Sequence, residues 1–126
     1  MTEQGSRVAD TGIVALAAMR IGIGALAWAR PDVTATLFGF SQPDGQARYV
    51  WRLFGVRDVL IGLGTVTSSG PRRRTWAGVG LACDVADGAA GALGRNEVNA
   101  VSAAAMTGVP AAAVAFGAWA LSRRNP

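Results

Sequence analysis

Four apolar stretches of about twenty residues, each closed by polar or charged punctuation, constrain this chain more than anything else in it. The first runs from about Thr11 to Ala29 and stops before Arg30-Pro31-Asp32. The second runs from about Val50 to Ser69, ahead of Gly70-Pro71-Arg72-Arg73-Arg74. The third covers about Thr75 to Gly94 and is closed by Arg95-Asn96-Glu97. The fourth covers about Ala100 to Leu121 and is closed by Ser122-Arg123-Arg124. A helix rises about 1.5 Å per residue, so each stretch matches the ~30 Å hydrocarbon core of a bilayer. The pattern predicts an all-α chain: a four-transmembrane-helix bundle with spans at about 11–29, 50–69, 75–94 and 100–121, and a short interfacial helix between the first two. At 126 residues the chain forms one integral membrane domain, 1–126, because two halves would each be too small to hold a core.

Only the fourth stretch is clean; Ala103 to Leu121 carries no charge. The first holds Arg20, the second Arg52, Arg57 and Asp58, the third Asp84 and Asp87. A charge at mid-helix costs about 2.5–3.5 kcal/mol on the insertion scale, and each strongly apolar residue returns only about 0.3–0.6. A soluble alanine-rich bundle is therefore the competing fold. Two observations decide against it. Charged residues are 16% of the chain, where soluble domains carry about 25%. Trp28, Trp51, Trp76 and Trp119 all fall near the ends of the stretches, the interfacial position that suits a ring both apolar and polar.

Orientation follows from arginine near the span ends. With the N-terminus inside, Arg7, Arg72, Arg73, Arg74, Arg123 and Arg124 share the inner side, against Arg30, Arg48, Arg95 and the marginal Arg52 outside. Both termini are thus expected in the cytoplasm, with the protein multi-pass in the cytoplasmic membrane. Ala27-Trp28-Ala29 mimics a signal-peptide cleavage site, but Arg20 interrupts the apolar run, so the segment reads as uncleaved. In the connection from Pro31 to Tyr49, Pro31 suits a first helical position, and Val33, Leu37 and Phe38 share one face; Ser41 to Gly45 reads as a turn.

The charges inside the stretches are not scattered. Measured from the segment midpoints, Arg20, Arg57, Asp58, Asp84 and Asp87 all lie within roughly 5 Å of one plane. Charges at that depth must face inward and pair. Spacing of three and four residues supports this: Ala17, Arg20, Gly24 and Ala27 form one stripe, Gly55, Asp58, Gly62 and Thr65 a second, and Ala77, Gly80, Asp84, Asp87, Gly91 and Gly94 a third. Small residues let membrane helices approach closely. The expected packing glycines are Gly22, Gly24, Gly55, Gly62, Gly80 and Gly91. The expected polar cluster is Arg20, Arg52, Arg57, Asp58, Asp84 and Asp87, with Arg57 turned about 100° from Asp58 and reaching a neighbouring helix. Without Arg52 the cluster carries an excess negative charge, unless a carboxyl holds a proton.

Much chemistry is excluded. All twelve basic residues are arginine and there is no histidine, so histidine catalysis, histidine metal sites and lysine Schiff bases are absent. Cys83 is the lone cysteine and reads as a small hydrophobe. No metal or cofactor is expected. The repeats Ile21-Gly22-Ile23-Gly24, Ile61-Gly62-Leu63-Gly64 and Gly78-Val79-Gly80 follow no strand, so they read as helix packing rather than nucleotide binding. Arg72-Arg73-Arg74 fits attraction to anionic lipid better than to nucleic acid.

The run Arg52-Leu53-Phe54-Gly55-Val56-Arg57-Asp58, with Arg20-x-Gly22-x-Gly24 before it, Pro31 between and Asp84-x-x-Asp87 after, resembles a family of small bacterial four-helix integral membrane proteins of unknown function. The resemblance covers about residues 15 to 95 and implies the fold and the membrane location, with no activity to carry over. Small size, abundant Ala and Gly and little soluble surface favour the first of three functions. The first is a non-enzymatic accessory or structural subunit, held by its Arg/Asp network within a larger membrane complex or homo-oligomer. The second is a binder, carrier or proton-coupled transporter of a lipophilic, lipid- or quinone-like small molecule. The third is an acid–base enzyme using Asp84 and Asp87 on a lipophilic substrate. The expected surroundings are the lipid bilayer, and no nucleic acid.

Overall fold

The computed structural model describes residues 3–123 and is helical nearly throughout: α1 (Glu3–Ala29), α2 (Pro31–Leu37), α3 (Gly45–Val66), α4 (Gly70–Leu93) and α5 (Ala100–Ser122), with no strand among the described residues. Arg124, counted above for orientation, lies outside them. α1, α3 and α4 begin before the expected apolar stretches, α3 stops short at Val66, and start signals rather than hydropathy set where α3, α4 and α5 begin. Asp44 caps α3 by accepting from the Ala47 N–H at 2.8 Å, Pro71 occupies the first turn of α4, and Asn99 caps α5 by accepting from the Ser102 N–H at 2.8 Å. Gly70 makes the sharp entry to α4 at φ +59°, a conformation that side chains with a Cβ avoid.

Two stretches, Arg7–Ala29 and Ala100–Ser122, are long and apolar enough to cross a membrane by length and composition. The short helix expected after the first stretch is α2, and its Pro31 does begin it. Its buried face, however, is Pro31, Thr34 and Ala35. Small residues let it lie close to α1 and α3, which leaves Leu37 71% exposed; of the expected trio only Phe38 finds an aromatic partner, stacking on Trp51 at 5.4 Å.

α1 packs most intimately on α3, and α4 on α5; the two pairs meet along α3–α4 and more lightly along α1–α5. The helices thus form a ring in the order α1, α3, α4, α5, with α1 and α4 facing each other across it. Glycine sets the tight crossings. A Cβ on Gly24 would strike the Gly55 carbonyl oxygen and come within 3.0 Å of the Val59 nitrogen, and a Cβ on Gly55 would strike the Gly24 carbonyl in return. Gly62 fits against Ala17 and Ile21, and Gly91 against the Met106 carbonyl of α5.

Gly22 does not belong with them: it is exposed, with nothing near the place a Cβ would take. Residues two apart on a helix point about 200° apart, so only one glycine of a G-x-G pair can face a given neighbour. Gly22→Ala is expected to stabilise the fold by ~0.5–1 kcal/mol through reduced backbone entropy. Gly24→Ala is expected to destabilise it. Melts of both in micelles, followed by circular dichroism, test the contrast.

The interior is mostly small or polar. Ala9, Ala17, Ala27, Ala35 and Ala120 are buried with Arg20, Asp58, Thr65 and Asp84, while Leu60, Leu63, Val85, Phe116 and Trp28 are exposed.

Candidate functional site

Arg20 and Asp84 meet across the ring. Arg20 projects from α1 with 6% of its surface exposed and forks onto Asp84 of α4, Nη1 donating to Oδ1 at 3.0 Å and Nη2 to Oδ2. Parallel donors on a planar guanidinium match the two carboxylate oxygens, the strongest geometry such a pair has. Gly80, one turn before Asp84, makes the space: a Cβ there would lie 2.9 Å from Arg20 Nη2. The alignment of small and acidic residues on α4 thus serves a guanidinium laid flat against the helix.

A second fork joins α3 to α4. Arg57 Nη1 donates to Asp87 Oδ1 at 3.1 Å and Nη2 to Oδ2 at 2.5 Å, and the guanidinium carbon lies 5.3 Å from the centre of the Phe54 ring. Asp58, 6% exposed, sits between the forks. Its Oδ1 is 3.9 Å from Arg20 Nη1 and 3.7 Å from Arg57 Nη2, close enough for ion pairing but without a hydrogen bond among the described residues. The expected reach of Arg57 to another helix is therefore real, yet it does not wholly avoid Asp58. Five of the six expected residues form one network, with three carboxylates against two guanidiniums.

Arg52 is the exception. It is exposed and donates from Nε to the Trp28 carbonyl at 3.2 Å, at the C-terminal end of α1. Free carbonyls and the helix dipole make that end attractive to a cation, and they hold Arg52 away from the carboxylates. Arg52→Ala is expected to change stability by no more than ~0.5 kcal/mol. Arg57→Ala, which strands Asp87, is expected to cost several times as much in the same melts.

The basic run at the opposite end is also largely committed to the protein. Arg73 donates to the Ser68 carbonyl at 2.8 Å, closing the end of α3, and to Asp10 of α1 at 2.8 Å. Arg74 donates to the Leu121 carbonyl in the last turn of α5. Arg72 is exposed.

Beside the second fork opens a cleft of about 830 Å³ between α3, α4 and α5, within the range of small-molecule sites (~300–1,000 Å³). Its walls include Phe38, Phe40, Trp51, Phe54, Met106 and Val109, and Arg57 and Asp87 lie in its lining. Trp51 centres the aromatic cluster, stacked on Phe38 and edge-on to Phe40 at 5.9 Å and Phe54 at 5.8 Å. The sequence reading placed Trp51 only at a membrane boundary and missed this wall. Its signal was the spacing of Trp51 and Phe54, one turn apart, after Phe38 and Phe40 in the preceding connection. No family profile, curated protein or solved structure matches this chain.

Proposed function

We propose that this chain is a four-span membrane protein that holds an amphipathic small molecule in the cleft between α3, α4 and α5. The observation that carries the binding reading is the cleft itself, largely apolar and aromatic along its walls, with the Arg57–Asp87 pair in its lining. Such a surface suits a molecule with an apolar body and one polar group. The sequence alone favoured an accessory subunit; a roomy cleft reverses that order. An acid–base enzyme has less support, because Asp84 and Asp87 are each forked to a guanidinium.

The membrane part of the reading rests on the inverted distribution of side chains. Charges and alanines lie inside while Leu60, Leu63, Val85 and Phe116 face out, the arrangement expected where the surroundings are apolar. Trp28 and Trp119 are exposed at opposite ends of the bundle, and the resemblance of the Arg52 to Asp58 run points the same way. In a Cys83→Ser background, Gln42→Cys and Asn96→Cys are expected to react with an impermeant thiol reagent on intact cells. Ser69→Cys is expected to react only after permeabilisation. Labelling of all three from outside would overturn the topology.

Native mass spectrometry of protein extracted gently from its membrane tests the binding reading. A retained small molecule is expected, and it should be lost from Ala90→Trp, which fills the cleft from an exposed position on α4. Retention by that variant, or a stoichiometric protein partner in place of the small molecule, would overturn the reading.

A further inference from the structure

The cleft's electrical character narrows what it holds. Among its lining residues, Asp44, Asp87 and Glu97 are acidic and Arg57 is the sole base. Arg57 is already matched by Asp87, so Asp44 and Glu97 leave the lining negative. α5 offsets none of this, contributing Met106, Val109 and Pro110. Four further arginines lie at this end and none lines the cleft: Arg48 donates to the Pro43 carbonyl at 2.8 Å, Arg95 to the Ala92 carbonyl at 2.5 Å and Arg52 to the Trp28 carbonyl at 3.2 Å, and Arg30 pairs with Asp32 at 3.5 Å. Behind the wall, Arg20, Asp58 and Asp84 add another carboxylate in excess. The aromatic faces gathered at Trp51 attract cations as well, as the Arg57–Phe54 contact displays within the protein itself.

Resting on the cleft reading, we infer that the ligand is a small lipophilic monocation: a quaternary ammonium or protonated amine on an apolar body, with its charge between Asp44 and Glu97 and the aromatic wall. A phospholipid fits less well, since its phosphate would meet the same carboxylates. An anionic amphiphile would bring its charge against them directly.

Protein in phosphatidylcholine nanodiscs, with empty discs as the background, tests this by equilibrium binding of three radiolabelled twelve-carbon probes: dodecyltrimethylammonium, dodecanol and laurate. The cation is expected to bind at least tenfold more tightly than laurate. Asp44→Asn with Glu97→Gln is expected to erase that preference without lowering the melting temperature, because asparagine still caps α3. Equal binding of all three probes, blocked by Ala90→Trp, would overturn the charge inference and leave the cleft reading standing. Preference for laurate, or a preference for the cation that survives neutralisation, would overturn it too. Binding of none of the probes would remove both.

Discussion

Cutting Asp84 back to alanine is expected to cost the folded protein ~3–5 kcal/mol, the largest loss available from one side chain here. The loss comes from what stays behind. Arg20 cannot shed its proton, is 6% exposed, and lies on Gly80. Asp58, at 3.9 Å and without a hydrogen bond to it, does not replace a two-pronged partner. Removing both charges should behave differently. Arg20→Met with Asp84→Leu is expected to recover most of the loss, because packed apolar side chains serve a buried position as well as an ion pair does. Reversible unfolding in mixed micelles measures both. A change below ~1 kcal/mol in Asp84→Ala would show that the pair is not sealed from solvent. The pair joins helices that otherwise scarcely touch, so the α1–α3 contact should persist in the variant while its register against α4 and α5 is lost.

Gly55→Leu is expected to separate α1 from α3. Overpacking an interior commonly costs ~1–3 kcal/mol when the neighbours are side chains that can turn aside. At Gly55 they are the Gly24 carbonyl and the Trp28 nitrogen, backbone atoms that move only with the whole helix. Even Gly55→Ala should fall at the upper end of that range. Reversible unfolding in mixed micelles, followed by circular dichroism, measures both variants against the parent. Efficient folding of Gly55→Leu would show that the crossing has slack.

The stripes on α1 and α3 were legible because close helix packing and three-four spacing describe one surface. Ala17, Arg20, Gly24 and Ala27, and likewise Gly55, Asp58, Gly62 and Thr65, are all buried. Arg52 misled because its charge would balance the excess carboxylate of the cluster. Its height, level with the end of α1, decides its partner, and helical spacing reports angle rather than what a neighbouring helix offers at that level. Gly22 misled because the doublet G-x-G suggests one role for two residues on opposite faces. The cleft was not legible at all. It depends on how far α5 stands from α3 beside Asp87, a through-space distance that no local pattern encodes; Asp44 and Glu97 look like ordinary loop residues until the fold lines one cleft with both.

The two forks share a direction along the chain. Arg20 precedes Asp84 by 64 residues, and Arg57 precedes Asp87 by 30. Under the four-span reading, each guanidinium leaves the ribosome before the carboxylate that it holds. α1, the strongly apolar helix, carries its one deep charge in first, and α4, poor at entering lipid alone, arrives with both of its counterparts already waiting. Reversing the charges, Arg20→Asp with Asp84→Arg, would set a carboxylate on α1 beside Asp58 and leave α4 to bring its guanidinium last. Synthesis order gives the network a polarity that its final geometry does not display.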